Sequence, residues 1–238
     1  MQATMQRTEQ RFGNPAVRHP AIPAVIPSAP RDPLALLEQF GTTVSVHRDR
    51  QVHGQGDEAD YCYRILSGCV RTVRLMEDGR RQIGEFLMSG DLLGFDAIET
   101  YDFAAEGVSD VILRRYPRRM VDALAESNVA LTRRLRDMTS ISLRMAHTRL
   151  VLLGRKTASE RIATFLLEMA ERLPGTRQHV LELPMGRADV ADHLGLTIKT
   201  VCRVLALLRR EGTITIDRGS ITIRDEIALQ QMASEARH

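Results

Sequence analysis

RADVADHLGLTIKTVCRVLALLRRE, residues Arg187 to Glu211, is the stretch on which the reading of the whole chain turns. Asp189 to Leu194 carries Val190, Ala191 and Leu194 at helical spacing, and Gly195 offers the left-handed backbone that ends a helix. Leu196 and Thr197 then form a short turn, with the Thr197 hydroxyl suited to cap a second helix. In that helix Val201, Val204, Leu205 and Leu208 fall on one face. The pattern predicts a helix-turn-helix, whose second helix enters the DNA major groove and turns its early outward residues toward bases and phosphates. Those residues are Lys199, Thr200, Cys202 and Arg203, with Arg209 and Arg210 at the end.

The same spacing also describes a glycine-linked helical hairpin in an all-α core. The flanks weigh against that alternative. Thr213 to Ile216 and Ser220 to Ile223 alternate polar and apolar residues around Asp217-Arg218-Gly219, which predicts a β-hairpin. With the strand-like Val180 to Leu183 ahead of it, the unit reads as a winged helix.

At 238 residues the chain has room for about two domains. Aromatic residues are 4% and Trp is absent, which argues against a single-strand binder built on stacking platforms and favours duplex DNA. A net charge of +3 identifies nothing by itself, but its distribution does. From Leu196 to Arg210 there are four cations and no anion, the local positive face expected of phosphate contact. No apolar run is long enough to span a bilayer and the N-terminus has no signal core, so a cytoplasmic protein without a membrane partner is expected. Cys62, Cys69 and Cys202 suggest a reducing compartment rather than a disulfide framework.

Taken in order, residues 1–33 are rich in proline and read as a flexible arm. A short helix, PLALLEQFG, follows from Pro33 to about Gly41. From Thr43 to Pro117 the texture changes to short β-branched runs broken by Ser67-Gly68, Asp78-Gly79 and Ser89-Gly90, that of a small β-roll in a sensor-like domain over residues 34–117; Asp78-Gly79 is a strong hairpin signal. Residues 118–153 read as one long helix. Leu131, Met138, Met145 and Leu152 recur there every seven residues, with Leu135 and Ser142 at the complementary position and Arg149 also on the seam. Leu131, Leu135, Met138, Met145 and Leu152 are the candidate dimerisation residues. A helix packed on its own roll shows the same stripe. A hinge near Leu153 to Lys156 and a helix from Ser159 to Leu173 lead into the DNA-binding domain, residues 154–238.

With these parts in order, the chain resembles the CRP/FNR family of bacterial transcription regulators over about Leu34 to Arg224, most closely its FixK-like branch. YRILSGCVR and LMEDGRRQIGEFLMSGDLLGF in the roll, LLGRKTASERIATFLLEM at the hinge and GRADVADHLGLTIKTVCRVLALLRREG in the reading head carry the resemblance. It implies an α+β fold: an N-terminal β-roll like that of cyclic-nucleotide-binding domains, a long dimerisation helix and a C-terminal winged helix-turn-helix. It also implies a homodimer that activates low-oxygen, respiration or nitrogen-fixation genes from TTGA-like inverted repeats and recruits RNA polymerase. Arg203 matches the arginine that reads guanine, Thr197 and Thr200 match phosphate-contacting positions, and Arg187 is a candidate backbone contact. The chain departs from the family where Lys199 replaces Glu and Cys202 replaces Ser or Gly. Lysine has only donors, so it favours guanine or phosphate where Glu accepts from cytosine; the alternative is that it lies along the backbone.

Sensors of the family are tested by composition. An iron–sulfur cluster needs about four cysteines, and the chain has three. Leu92 to Leu113 contains no Arg or Lys to hold a cyclic-nucleotide phosphate. His47, His53 and His147 leave haem open. No metal, cofactor or catalytic residue is expected, and the protein reads as a non-enzyme. Cys202, beside Arg203, is the candidate redox-regulatory site, since its oxidation places bulk or charge against phosphates. The alternative is an unreactive small residue that fits the groove. Cys62 and Cys69 read as strand residues.

Overall fold

The computed structural model describes residues 32–173 and 180–234. Apart from its last two residues, the arm expected at residues 1–33 lies outside them. The first described element is a 3₁₀-helix, Pro33–Phe40. Its buried Leu34 and Leu37 are three residues apart, the repeat that a 3₁₀ turn places on one side.

Eight strands follow: β1 (Thr42–Val46), β2 (Gln51–His53), β3 (Tyr61–Ser67), β4 (Cys69–Leu75), β5 (Arg81–Met88), β6 (Leu92–Leu93), β7 (Ala104–Gly107) and β8 (Val111–Pro117). They form two four-stranded sheets, ordered β1-β8-β3-β6 and β2-β7-β4-β5. The hairpin between β4 and β5 turns where Asp78-Gly79 predicts it: Gly79 takes φ +80, and the Met76 amide donates to the Arg80 carbonyl at 2.8 Å. Tyr63 and Ile65 from one sheet meet Val70 and Leu87 from the other in the roll's core. β4 does not alternate cleanly between buried and exposed. Val70 faces the roll core while Cys69 and Val73 join a second core on the other side of the sheet.

The long helix is two helices, α1 (Arg118–Ser127) and α2 (Val129–Arg155). The expected unbroken helix over residues 118–153 is interrupted at Asn128, which adopts an extended backbone and accepts from the Leu131 amide at 3.0 Å. Asparagine offers the backbone a local partner and so favours a cap over a helix interior. At the other end, Gly154 stays helical and the chain extends only at Lys156. Helix α3 (Ala158–Arg172) then starts on a reciprocal Thr157–Glu160 capping box.

The C-terminal domain continues with β9 (Val180–Leu181), α4 (Arg187–Leu194), α5 (Ile198–Arg210), β10 (Ile214–Asp217), β11 (Ser220–Ile223) and α6 (Glu226–Ser234). Strands β10, β11 and β9 form one antiparallel sheet in that order, and the Asp217↔Ser220 pairing leaves Arg218-Gly219 as the two-residue wing tip. Helix α6, unforeseen in the sequence, buries Leu229 and packs on α3. The domain's core, with Phe165, Leu166, Val201, Leu208 and Ile221, is continuous with Ile83, Phe86 and Met88 of the roll.

Candidate nucleic-acid interface

Helix α4 ends on Gly195 at φ +62, where an L side chain is strained. Thr197 caps α5 by accepting from the Thr200 amide at 3.1 Å, and the two hydroxyls lie 2.9 Å apart. Val201, Val204, Leu205 and Leu208 are buried, and this face orients α5. Lys199, Cys202 and Arg203 consequently face solvent, followed by Arg209 and Arg210. Among the described residues none of these five side chains has a hydrogen-bond or ion-pair partner, so their donors are open to an external ligand. Arg187 stands half-buried in the first turn of α4. The expected reading residues thus share one helix surface, with Thr197 and Thr200 tied to the cap and Arg187 on the preceding helix.

The cysteines divide as their positions suggest. Burial raises the Cys62 thiol to about 11 and the Cys69 thiol to about 12, while Cys202 is exposed on α5. Buried thiols held protonated are poor nucleophiles.

Two of the five expected dimerisation residues are buried within the protomer. Leu131 is fully buried against Cys62 and Tyr116, and Leu152 is 3% exposed in the core shared by roll and head. Neither is available to another chain. Leu135 and Met138 are half-buried, Met145 is 44% exposed, and all three line a cavity of about 500 Å³ between α2 and the roll. The two ends of the stripe thus face the chain's own core, while its middle, at Met145, is exposed.

The charges on the wall of that cavity decide what it could hold. Glu85, Asp96 and Asp102 line it, together with His53 stacked on Tyr101. Burial raises the Glu85 carboxyl above its ordinary range. Among the described lining residues Arg149 is the single Arg or Lys, and it donates to the His193 ring. A cyclic-nucleotide phosphate finds no uncommitted cation there, so the wall does not fit it. Of the other histidines, His47 is exposed and paired with Asp110, and His147 is exposed on α2. No group of three or more His, Cys, Asp or Glu able to hold a metal occurs among the described residues.

Sequence reasoning missed the polar contacts behind α4. Asp189, buried beneath the reading head, receives Arg71 and Arg81; Asp192 receives Arg81; and His193 lies between Arg149, Phe86 and Phe165. Burial, then Arg149, drops His193 to about 3, so the ring is neutral. Burial opposes the Arg71 charge, but Glu106, Asp189 and Asp49 raise its pKa above the ordinary arginine value. Arg161 also escaped notice. It donates to the carbonyls of Leu153 and Leu194 at 2.8 Å each and of Lys156 at 2.9 Å, fastening the hinge to the end of α4. The signal that could have found the first group was the Asp189-x-x-Asp192-His193 spacing, polar residues one helix turn apart beside the apolar Val190, Ala191 and Leu194.

A β-roll joined through a long helix to a winged helix-turn-helix defines a two-domain transcription regulator. The signature of a Crp-like helix-turn-helix domain matches residues 160–232, and that of a cyclic nucleotide-binding domain matches residues 43–128. The nitrogen fixation regulation protein FixK of Azorhizobium caulinodans is 40% identical over 206 residues, 85% of this chain and 83% of that protein. FixK of Rhizobium meliloti is 38% identical over 79% of this chain and 81% of its own length. Among solved structures, FixK2 from Bradyrhizobium japonicum superposes with a TM-score of 0.79 at 38% identity, covering 83% of this chain and 99% of that one. The chain belongs to the CRP/FNR family of transcription regulators, and it is a FixK/FNR-like regulator with a helix-turn-helix DNA-binding domain. Members of that family are not enzymes. No helix among the described residues is long and apolar enough to cross a membrane.

Proposed function

We propose that this chain is a homodimeric activator of low-oxygen, respiration or nitrogen-fixation genes that binds TTGA-like inverted repeats without a cyclic nucleotide or an iron–sulfur cluster. The observation that carries this reading is the open donor surface of α5 in a chain whose relatives include nitrogen fixation regulators. In the proposed complex Arg203 reads guanine, Lys199 meets guanine or phosphate, and Thr197, Thr200 and Arg187 hold the backbone. RNA polymerase is the proposed downstream partner and the cytoplasm the proposed compartment. The lack of an uncommitted cation in the cavity supports independence from cyclic nucleotides.

Dimerisation is supported by α2 itself. From Thr139 to Thr148 the helix is exposed all round, and it displays Ile141, Leu143 and Met145, with Leu150 and Val151 beyond. Helices draw most of their stability from tertiary packing, so a bare stretch with apolar residues calls for a partner helix. Cys202 supplies an oxidative off-switch: its sulfenic, sulfinic or sulfonic acid sets bulk or negative charge against the phosphates.

The testing experiment is binding of reduced, ligand-free protein to duplexes with TTGA-type inverted repeats, against scrambled duplexes, with salt and hydrogen peroxide varied. Selective binding is expected, lost on oxidation and retained by Cys202→Ser. Equal peroxide loss in both proteins rules out the thiol switch. A second reading, an effector-dependent sensor, is favoured by the cavity of about 500 Å³; selective binding with nothing added rules it out.

A further inference from the structure

The helix that supports α5 has a second face, charged and fully engaged. Arg71 on β4 donates to both oxygens of Asp189 at 3.3 and 3.2 Å, and holds Glu106 at 2.9 Å and Asp49 at 3.2 Å. Arg81 at the start of β5 reaches Asp189 at 2.6 Å and Asp192 at 2.5 Å. Beside them the Gln82 amide donates to the His193 carbonyl at 3.2 Å. Arg149 on α2 donates to one ring nitrogen of the neutral His193, and the other nitrogen lies 3.3 Å from the Ile83 carbonyl, as its N–H donor. Three elements outside the head therefore grip the eight residues of α4.

Two kinds of contact meet at this boundary. Ile83, Phe86, Phe165 and Leu194 give it apolar burial, which is strong but has no preferred direction. Paired charges at fixed distances have direction and fix register. The covalent link between α2 and the head is the extended pair Lys156 and Thr157, fastened by Arg161; it places the head but leaves its tilt to other contacts. Apart from Arg172 on α3, which holds Asp91 of the roll at 2.6 Å, the polar side-chain contacts between roll and head converge on α4, away from the exposed face of α5.

We infer that Arg71 and Arg81 on Asp189 and Asp192, with Arg149 on His193, form a positioning clamp that fixes the reading head on the roll and thereby sets the half-site spacing that the dimer accepts. The inference rests on the dimeric DNA-binding reading above. In a two-fold dimer the separation of the two α5 helices must match the half-sites, about one helical turn of DNA apart. One base pair more or less rotates a half-site by about a tenth of a turn. A head held at one tilt rejects that change, and a loosened head tolerates it.

The test uses the full chain with Arg81→Glu, Asp192→Arg and the double variant, plus Asp192→Asn as a milder change. Arg81 and Asp192 are each about one-third exposed, so these variants leave the core untouched. Each protein is titrated onto inverted repeats with spacers from two base pairs shorter to two longer, and onto a single half-site, with thermal unfolding measured alongside. Wild type is expected to prefer one spacer, and Arg81→Glu to lose about ten-fold at that spacer while half-site affinity stays unchanged. The double variant should regain most of the loss. A spacer profile unchanged in Arg81→Glu and Asp192→Asn overturns the clamp, as does equal loss on whole site and half-site without recovery in the double variant. Failure of wild type on every inverted repeat overturns the DNA-binding reading itself, and the clamp with it.

Discussion

Arg203 and Lys199 differ in what their side chains can say to a base. A planar guanidinium reaches the two acceptors of guanine together, so Arg203→Ala should weaken binding by about 1 to 3 kcal/mol and flatten discrimination at one base, seen by competition with substituted half-sites. Lys199→Glu replaces donors by acceptors and should move preference toward cytosine at its position; a binding panel varying that base checks it. A third residue acts through protons. His193 is neutral when folded, at about 3, and takes up a proton near its ordinary 6.5 when unfolded. The unfolded chain therefore binds more protons below about pH 6.5, and stability falls as pH drops from there toward 3, by about 1.4 kcal/mol per pH unit at most from this group. Denaturant unfolding at pH 7, 6 and 5 should show a slope reduced by that contribution in His193→Gln. Gly195 and Thr197 were legible in the sequence because their roles are settled within a few residues. The partners of Asp189 were not: Arg71 and Arg81 lie 118 and 108 residues away, and no local pattern pairs them.

At the scale of elements, periodicity reports a stripe without naming what covers it. The ends of the α2 stripe are apolar because the chain's own residues face them; Leu131 is buried with Cys62 and Tyr116 of the roll and Val121 of α1. Leu131→Ala should accordingly destabilise the fold by about 2 to 5 kcal/mol, read from unfolding midpoints. Leu143→Asp, on the exposed stretch, should instead shift the protein to monomer in analytical ultracentrifugation and leave the unfolding of the protomer nearly unchanged. The break at Asn128 was illegible for a related reason. The chain there has neither Pro nor Gly, and one asparagine carbonyl accepting the Leu131 amide is enough to restart the helix. The Thr157-x-x-Glu160 spacing, by contrast, was a start signal available in the sequence, and it puts the helix one residue earlier than apolar periodicity alone suggests.

For the whole molecule, strands, hinge, helix-turn-helix and wing all stand in the order that composition and turn residues imply, since each is set by its own neighbourhood. The joint between the halves is long-range and is visible only in three dimensions. There the roll's Ile83 and Phe86 and the head's Phe165 and Leu194 belong to one apolar body. A linker and two domain signatures invite the idea of a reading head that can be cut free and studied alone. Severed at Lys156, that piece would carry a raw greasy patch and two stranded carboxylates where the roll had been. It should cling to itself in solution, and the intact protomer should melt in one calorimetric step rather than two.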